Sequence, residues 1–150
     1  MHDLISSDHP LTSTQQQRLL AVLDTLVPAS EDGRLPSAAQ MPFVDYLRAQ
    51  SDPDWPGVQF LLDAMPEDFA DTSLAQRCEQ LQRFSVAEPS AFQRLLSQVY
   101  DCYYQQDVVR LAIGMVTGPV FPQGNALVAG DLGLLDPVLA NADRHRYRSV

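Results

Sequence analysis

The side chains that could do chemistry in this chain are few and far apart. Metal binding needs several donors converging at fixed spacing. The three imidazoles, His2, His9 and His145, lie at the two chain ends, and no HxxxH, HExxH or CxxC pattern occurs. The segment Ser30, Glu31, Asp32, Gly33 superficially resembles part of a calcium loop, but it lacks the alternating oxygen ligands and the closing bidentate Glu. It therefore reads as a turn. Glu67 and Asp68 could serve as an acid/base pair only if burial or neighbouring charges tuned them, and PEDFAD reads as an exposed helix junction. A Ser or Cys nucleophile needs an adjacent base, which the dispersed histidines do not supply. Cys78 and Cys102, 24 positions apart within helical patterns, read as buried free thiols. Gly114, Gly118, Gly124, Gly130 and Gly133 match neither a Walker loop nor the dinucleotide fingerprint. No catalytic, cofactor-binding or metal-binding residue is assigned in this chain.

What remains is aromatic and aliphatic. Trp55, at a predicted helix start, reads first as core and second as a contact residue. Tyr103 and Tyr104 are adjacent, so both cannot face one core stripe and one must point outward. With Val120, Phe121, Pro122 and Leu127 from an apolar but irregular tail, these residues are the candidate partner contacts.

The elements that must carry them follow from periodicity. Residues 1–10 form a loose lead-in. Thr12 or Ser13 caps a first helix with Leu19, Leu20, Val22, Leu23, Leu26 and Val27 on one stripe, ended by Pro28. After the turn-rich PASEDGRLPS, Pro42 opens a second helix whose buried face is Phe43, Val44, Tyr46 and Leu47. Asp54 caps a third helix with Pro56 in its first turn and Val58, Phe60, Leu61, Leu62 and Met65 toward the core. Thr72 or Ser73 caps a fourth, with Leu74, Cys78, Leu81 and Phe84 inward. The longest pattern, Ser85 to Gln105, has Pro89 in its first turn and Phe92, Leu95, Leu96, Val99, Tyr100 and Tyr103 along one face. VVRLAIGMV reads as a short buried helix ending near Gly114. Four Gly and three Pro then break the chain between Gly118 and Leu139. The expected fold is all-α: a compact bundle of about five to six helices, one domain over 11–150, with an irregular tail over 117–150 covered by the core or by a partner.

Charge narrows the partner. Residues 1–90 hold 14 acids against 5 Arg, residues 91–150 hold 5 of each, and the chain contains no Lys. A formal net charge of −9 without a basic stripe excludes a phosphate-backbone partner. The terminal cluster Arg144, Arg146, Arg148 reads as a solvated tail. The start, MHDLISSDHPL, has no basic region, apolar stretch or twin arginine, and no run approaches the ~18 apolar residues of a membrane span. The expectation is a cytoplasmic protein with no direct membrane insertion, periplasmic only if a signal-bearing partner exports it.

The stretch LLAVLDTLVPASEDGRLPSAAQMPFVDYL resembles the small "subunit 3" family of gluconate 2-dehydrogenase: a helix ending in Leu-Ile/Val-Pro-Ala-Asp, an acidic Gly-containing loop, an Ala-rich stretch and a Val-Asp-Phe/Tyr helix. Leu26, Val27, Pro28, Ala29, Asp32, Gly33, Ala38, Ala39, Val44, Asp45 and Tyr46 match, while Ser30 replaces the usual Asp. FQRLLSQVYDCYYQQDVVRLAIG is similar to the family's long helix, Tyr-Tyr step and short helix, and PVFPQGNALVAGDLGLLDPVL to the tail of a short subgroup. The resemblance implies a non-catalytic accessory subunit that stabilises or matures a large FAD-dependent oxidoreductase of the glucose–methanol–choline type, acting on sugars or other alcohols. The flavin and catalytic base would then belong to the large subunit. Small subunits of the family often carry a twin-arginine signal, absent here, so stabilising or assembling the partner is the expected role. The alternative is a stand-alone helical ligand-binding or regulatory module with an apolar pocket between helices.

Overall fold

The computed structural model describes residues 10–118, 130 and 132–140. The chain divides into two compact units, Met1–Thr117 and Gly118–Val150, next to the point where the sequence places the start of the tail. Among the described residues every regular element is helical and no strand occurs.

Among the described residues the first unit holds six α-helices and two 3-10 turns. Helix α1 (Ser13–Leu26) is capped by Thr12: its hydroxyl accepts from the Gln15 N–H while the Gln15 amide oxygen accepts from the Thr12 N–H, satisfying two otherwise orphaned donors. The helix stops before Pro28. Leu19, Val22 and Leu23 enter the core, but Leu20 is half exposed, so the expected stripe is too wide by one residue. Helix α2 (Phe43–Arg48) buries Phe43 and Leu47 fully and Val44 and Tyr46 in part. Pro42 stands one position before the first helical residue.

In α3 (Trp55–Ala64) the Asp54 carboxylate accepts from the Gly57 N–H at 3.0 Å, and Pro56 occupies the first turn as expected. Val58, Leu61, Leu62 and Met65 are buried. Phe60 is half exposed and lies on Phe84, ring centroids 5.9 Å apart. Ser73 forms a second capping box, with Gln76, at the head of α4 (Leu74–Ala87). Leu81 and Phe84 face inward, whereas Leu74 and Cys78 lie at the surface. Between those two, Arg77 turns toward α1.

Helix α5 runs Pro89–Gln105, not from Ser85. The three residues Ser85, Val86 and Ala87 complete α4, and Glu88, at φ −131° and ψ 62°, separates the helices. The residue before a proline is sterically pushed out of the α region, and Pro89 has no N–H with which to continue the ladder. Leu95, Val99, Cys102 and Tyr103 form the buried face of α5, and α6 (Asp107–Ala112) follows directly. The most completely buried side chains, Phe69, Leu47, Leu62, Val22, Val99 and Val109 among them, come from α1, α2, α3, α5 and α6 and from the 3-10 turn Phe69–Asp71, and α4 adds Leu81.

In the second unit a 3-10 turn, Leu132–Leu135, leads into the single turn α7 (Asp136–Leu139), closed by the Ala140 N–H on the Asp136 carbonyl at 2.9 Å. The remainder of the expected tail, the lead-in and the terminal arginine cluster lie outside the described residues.

Candidate interaction surface

The two tyrosines separate as their adjacency requires. Tyr103 is 2% exposed, its hydroxyl donates to the Pro36 carbonyl at 2.8 Å, and burial pushes its phenol up from the ordinary value. It is a core residue, which removes it from the partner-contact candidates. Tyr104 is 53% exposed and sits edge-on to Tyr103 (5.3 Å between centroids) and to Tyr100 (6.1 Å), itself partly exposed. Trp55 is half-buried against the core at the start of α3. Val120, Phe121, Pro122 and Leu127 lie outside the described residues.

Helix α6 is where the sequence reading departs furthest from the structure. VVRLAIGMV does not form a buried helix: only Val109 is buried, while Val108, Leu111 (61%), Ile113, Met115 and Val116 (85%) all face solvent. A helix that is apolar all round is ordinarily enclosed. This one is six residues long, and one turn and a half presents a single inward position to α5. Its length was the available signal, since so short an element has room to bury only one or two side chains.

These apolar side chains stand on a pinned backbone. Gly114 adopts φ +82°, its N–H donates to the Leu111 carbonyl at 3.0 Å, and the Met115 N–H donates to the Arg110 carbonyl at 2.8 Å, which together form the left-handed Schellman termination. The Arg34 guanidinium donates to the Ala112 carbonyl at 2.9 Å, and that of Arg110 to the Val116 carbonyl at 2.8 Å. Carbonyls left free by the end of α6 thus have partners, and the segment carrying Met115 and Val116 is held to the helix that precedes it.

The surroundings are acidic. The Ser30–Gly33 segment is a turn, as expected: Gly33 has φ +70°, and the Asp32 carboxylate accepts from the Ser30 hydroxyl (2.6 Å) and the Arg34 N–H (3.1 Å). The Ser30 hydroxyl first and the Arg34 N–H second hold the Asp32 carboxyl below its ordinary value. The Arg34 contact ties the turn that carries Glu31 and Asp32 to the end of α6. Asp101 lies one turn before Tyr104, and Asp107, at the head of α6, pairs with Arg110 at 3.7 Å.

Two other surface features bear on function. A trough of about 330 Å³, open to solvent, runs between α1, α4 and α5, with Leu26, Leu81, Phe92, Leu96 and Tyr100 as apolar lining and Cys78 at its edge. Both cysteines are free, but only Cys102 is buried, its thiol pushed up by that burial; the surface position of Cys78 corrects the expectation of two buried thiols. Glu67 and Asp68 are exposed, directly before the fully buried Phe69. Among the described residues no three His, Cys, Asp or Glu side chains converge on a common point, and no helix is long and apolar enough to cross a membrane. No protein-family model, no curated protein and no solved structure matches this chain.

Proposed function

We propose that the chain is a non-catalytic accessory subunit that binds, and stabilises or matures, a large FAD-dependent oxidoreductase of the glucose–methanol–choline type. The observation that carries the binding role is the α6 surface: Leu111, Met115 and Val116 face water on a backbone whose terminal carbonyls are paired. Apolar side chains presented rigidly lose little entropy when covered, so their burial converts into affinity with less loss than a mobile segment would suffer. Large exposed aliphatic groups gathered in one short stretch mark interaction sites more often than scattered single ones do. The identity of the partner rests on the resemblance of short motifs spread over most of residues 11–139 to the "subunit 3" family, and in that arrangement flavin and catalytic base reside in the large chain.

A specific, stable interface of this kind buries roughly 1,200–2,000 Å² in total. Co-expression with a tagged large flavoprotein of this type should retain the small chain through purification, and Leu111→Glu should weaken that retention. If the two chains never co-purify, the proposal fails.

The trough between α1, α4 and α5 supports a second reading, a stand-alone module for a small apolar ligand, because its volume falls at the lower end of ligand sites. Ligand sites enclose most of their occupant, and this trough is open. The accessory-subunit reading is therefore the better supported.

A further inference from the structure

We infer that the surface received by α6 and the end of α5 is an apolar protein segment flanked by arginine or lysine, rather than a second copy of this chain. The inference rests on the reading that the chain works by binding a protein, and it adds the chemistry of the surface that is bound.

Charge selects the partner. Tyr104, Val108, Leu111, Met115 and Val116 supply an apolar centre. The end of α5 and α6, which carry it, and the Ser30–Arg34 turn that Arg34 ties to α6 bear four exposed carboxylates, Asp101, Asp107, Glu31 and Asp32, and two guanidiniums, Arg34 and Arg110. Both cations are already engaged within the chain: Arg34 on the Ala112 carbonyl, Arg110 on Asp107 and on the Val116 carbonyl. Four carboxylates against two guanidiniums leave these segments with net negative charge. An interface core tolerates few charges, but its rim selects partners by sign, favouring opposite charge and penalising like charge. A second copy would bring the same excess of carboxylates against this one, in a chain of net charge −9 that has no Lys to offset it. A segment with aliphatic anchors and basic flanks meets both parts of the surface.

The test uses the full chain and two synthetic helical peptides with identical leucine anchors, one flanked by lysines and the other by glutamates. The lysine-flanked peptide should bind, more weakly as salt is raised, and the glutamate-flanked peptide should not. Leu111→Glu and, independently, Val116→Glu should each weaken binding roughly tenfold, a change of about 1.4 kcal/mol. Val86→Glu is the control: it adds the same charge at an exposed aliphatic position on α4, and should leave binding unchanged. Attraction through net charge alone predicts no loss for any of the three variants, and that result would overturn the inference. So would equal binding of the glutamate-flanked peptide, or a dimer of the native chain that Leu111→Glu dissociates. If the flavoprotein does not bind while the lysine-flanked peptide does, the partner's identity falls and the surface chemistry stands. If the flavoprotein binds and neither the peptide nor Leu111→Glu has an effect, the reverse holds.

Discussion

The Arg77 guanidinium on α4 meets the Asp24 carboxylate on α1 at 3.2 Å, with the Arg side chain only 14% exposed. The other Asp24 oxygen accepts from the Ser37 hydroxyl at 2.7 Å, and Arg77 also reaches the Ala21 carbonyl at 3.4 Å. One carboxylate thereby joins α1, α4 and the 3-10 turn Ala38–Gln40. Removing one member of a largely buried polar set leaves the others without partners, which costs more than the set contributes as a whole. Arg77→Ala should lower the unfolding free energy by about 1–3 kcal/mol, and the urea midpoint should fall with an unchanged slope. An unaltered midpoint would show that the contact is dispensable.

Gly114 ends α6 in the left-handed region, where a Cβ would meet no neighbouring atom and only the backbone would object. Gly114→Ala should cost about 1–2 kcal/mol from that conformation alone. Because the same turn positions Met115 and Val116, it should also weaken any binding through α6, whereas an alanine at Gln105 should not. Paired thermal melts and binding titrations separate the two effects.

Gly57 is constrained differently. A Cβ there would run into the Asp54 carboxylate that caps α3 and pairs with Arg94 at 3.3 Å. Gly57→Ala should displace the cap and destabilise by about 1 kcal/mol, the usual value of an N-cap. Asp54→Ala should then add little to Gly57→Ala, since the two changes remove the same interaction.

Burial raises the Cys102 thiol above its ordinary 9.0 and the Tyr103 and Tyr46 phenols above 10.0, with the Asp101 charge adding to the shift at Tyr46. The folded state thus keeps these protons at pH values where the unfolded chain releases them. Stability should be intact below about pH 9 and fall as pH rises past the ordinary values of these groups. Unfolding midpoints measured from pH 7 to 11 test the sign, and Tyr103→Phe should flatten the alkaline decline while costing about 1 kcal/mol at neutral pH for the lost bond to Pro36. Native protein should also present one maleimide-reactive thiol, Cys78, with Cys102 reacting only in denaturant.

Much of the fold is legible in the sequence because local chemistry fixes the helix ends. Thr12 with Gln15, Ser73 with Gln76, Asp54 with Gly57 and the prolines at 28, 56 and 89 each act within a few residues of where they stand. The width of each buried stripe is not local. Leu20, Phe60 and Leu74 have the right spacing for a core, yet whether a neighbour covers them depends on how the helices pack. Arg77 illustrates the converse, a charged residue drawn partly inward by a carboxylate 53 positions away, which periodicity cannot anticipate. The α6 surface was missed for a related reason: hydrophobicity reports that a segment is better covered, not whether its own chain does the covering.

Whether this chain works by holding a flavoprotein is decided by purifying the large chain with and without the small one and measuring bound FAD and alcohol oxidation per large chain. A heteromeric complex should form, with higher flavin occupancy and activity than the large chain alone. Equal flavin content and activity in both preparations, with the two chains migrating separately, would contradict it.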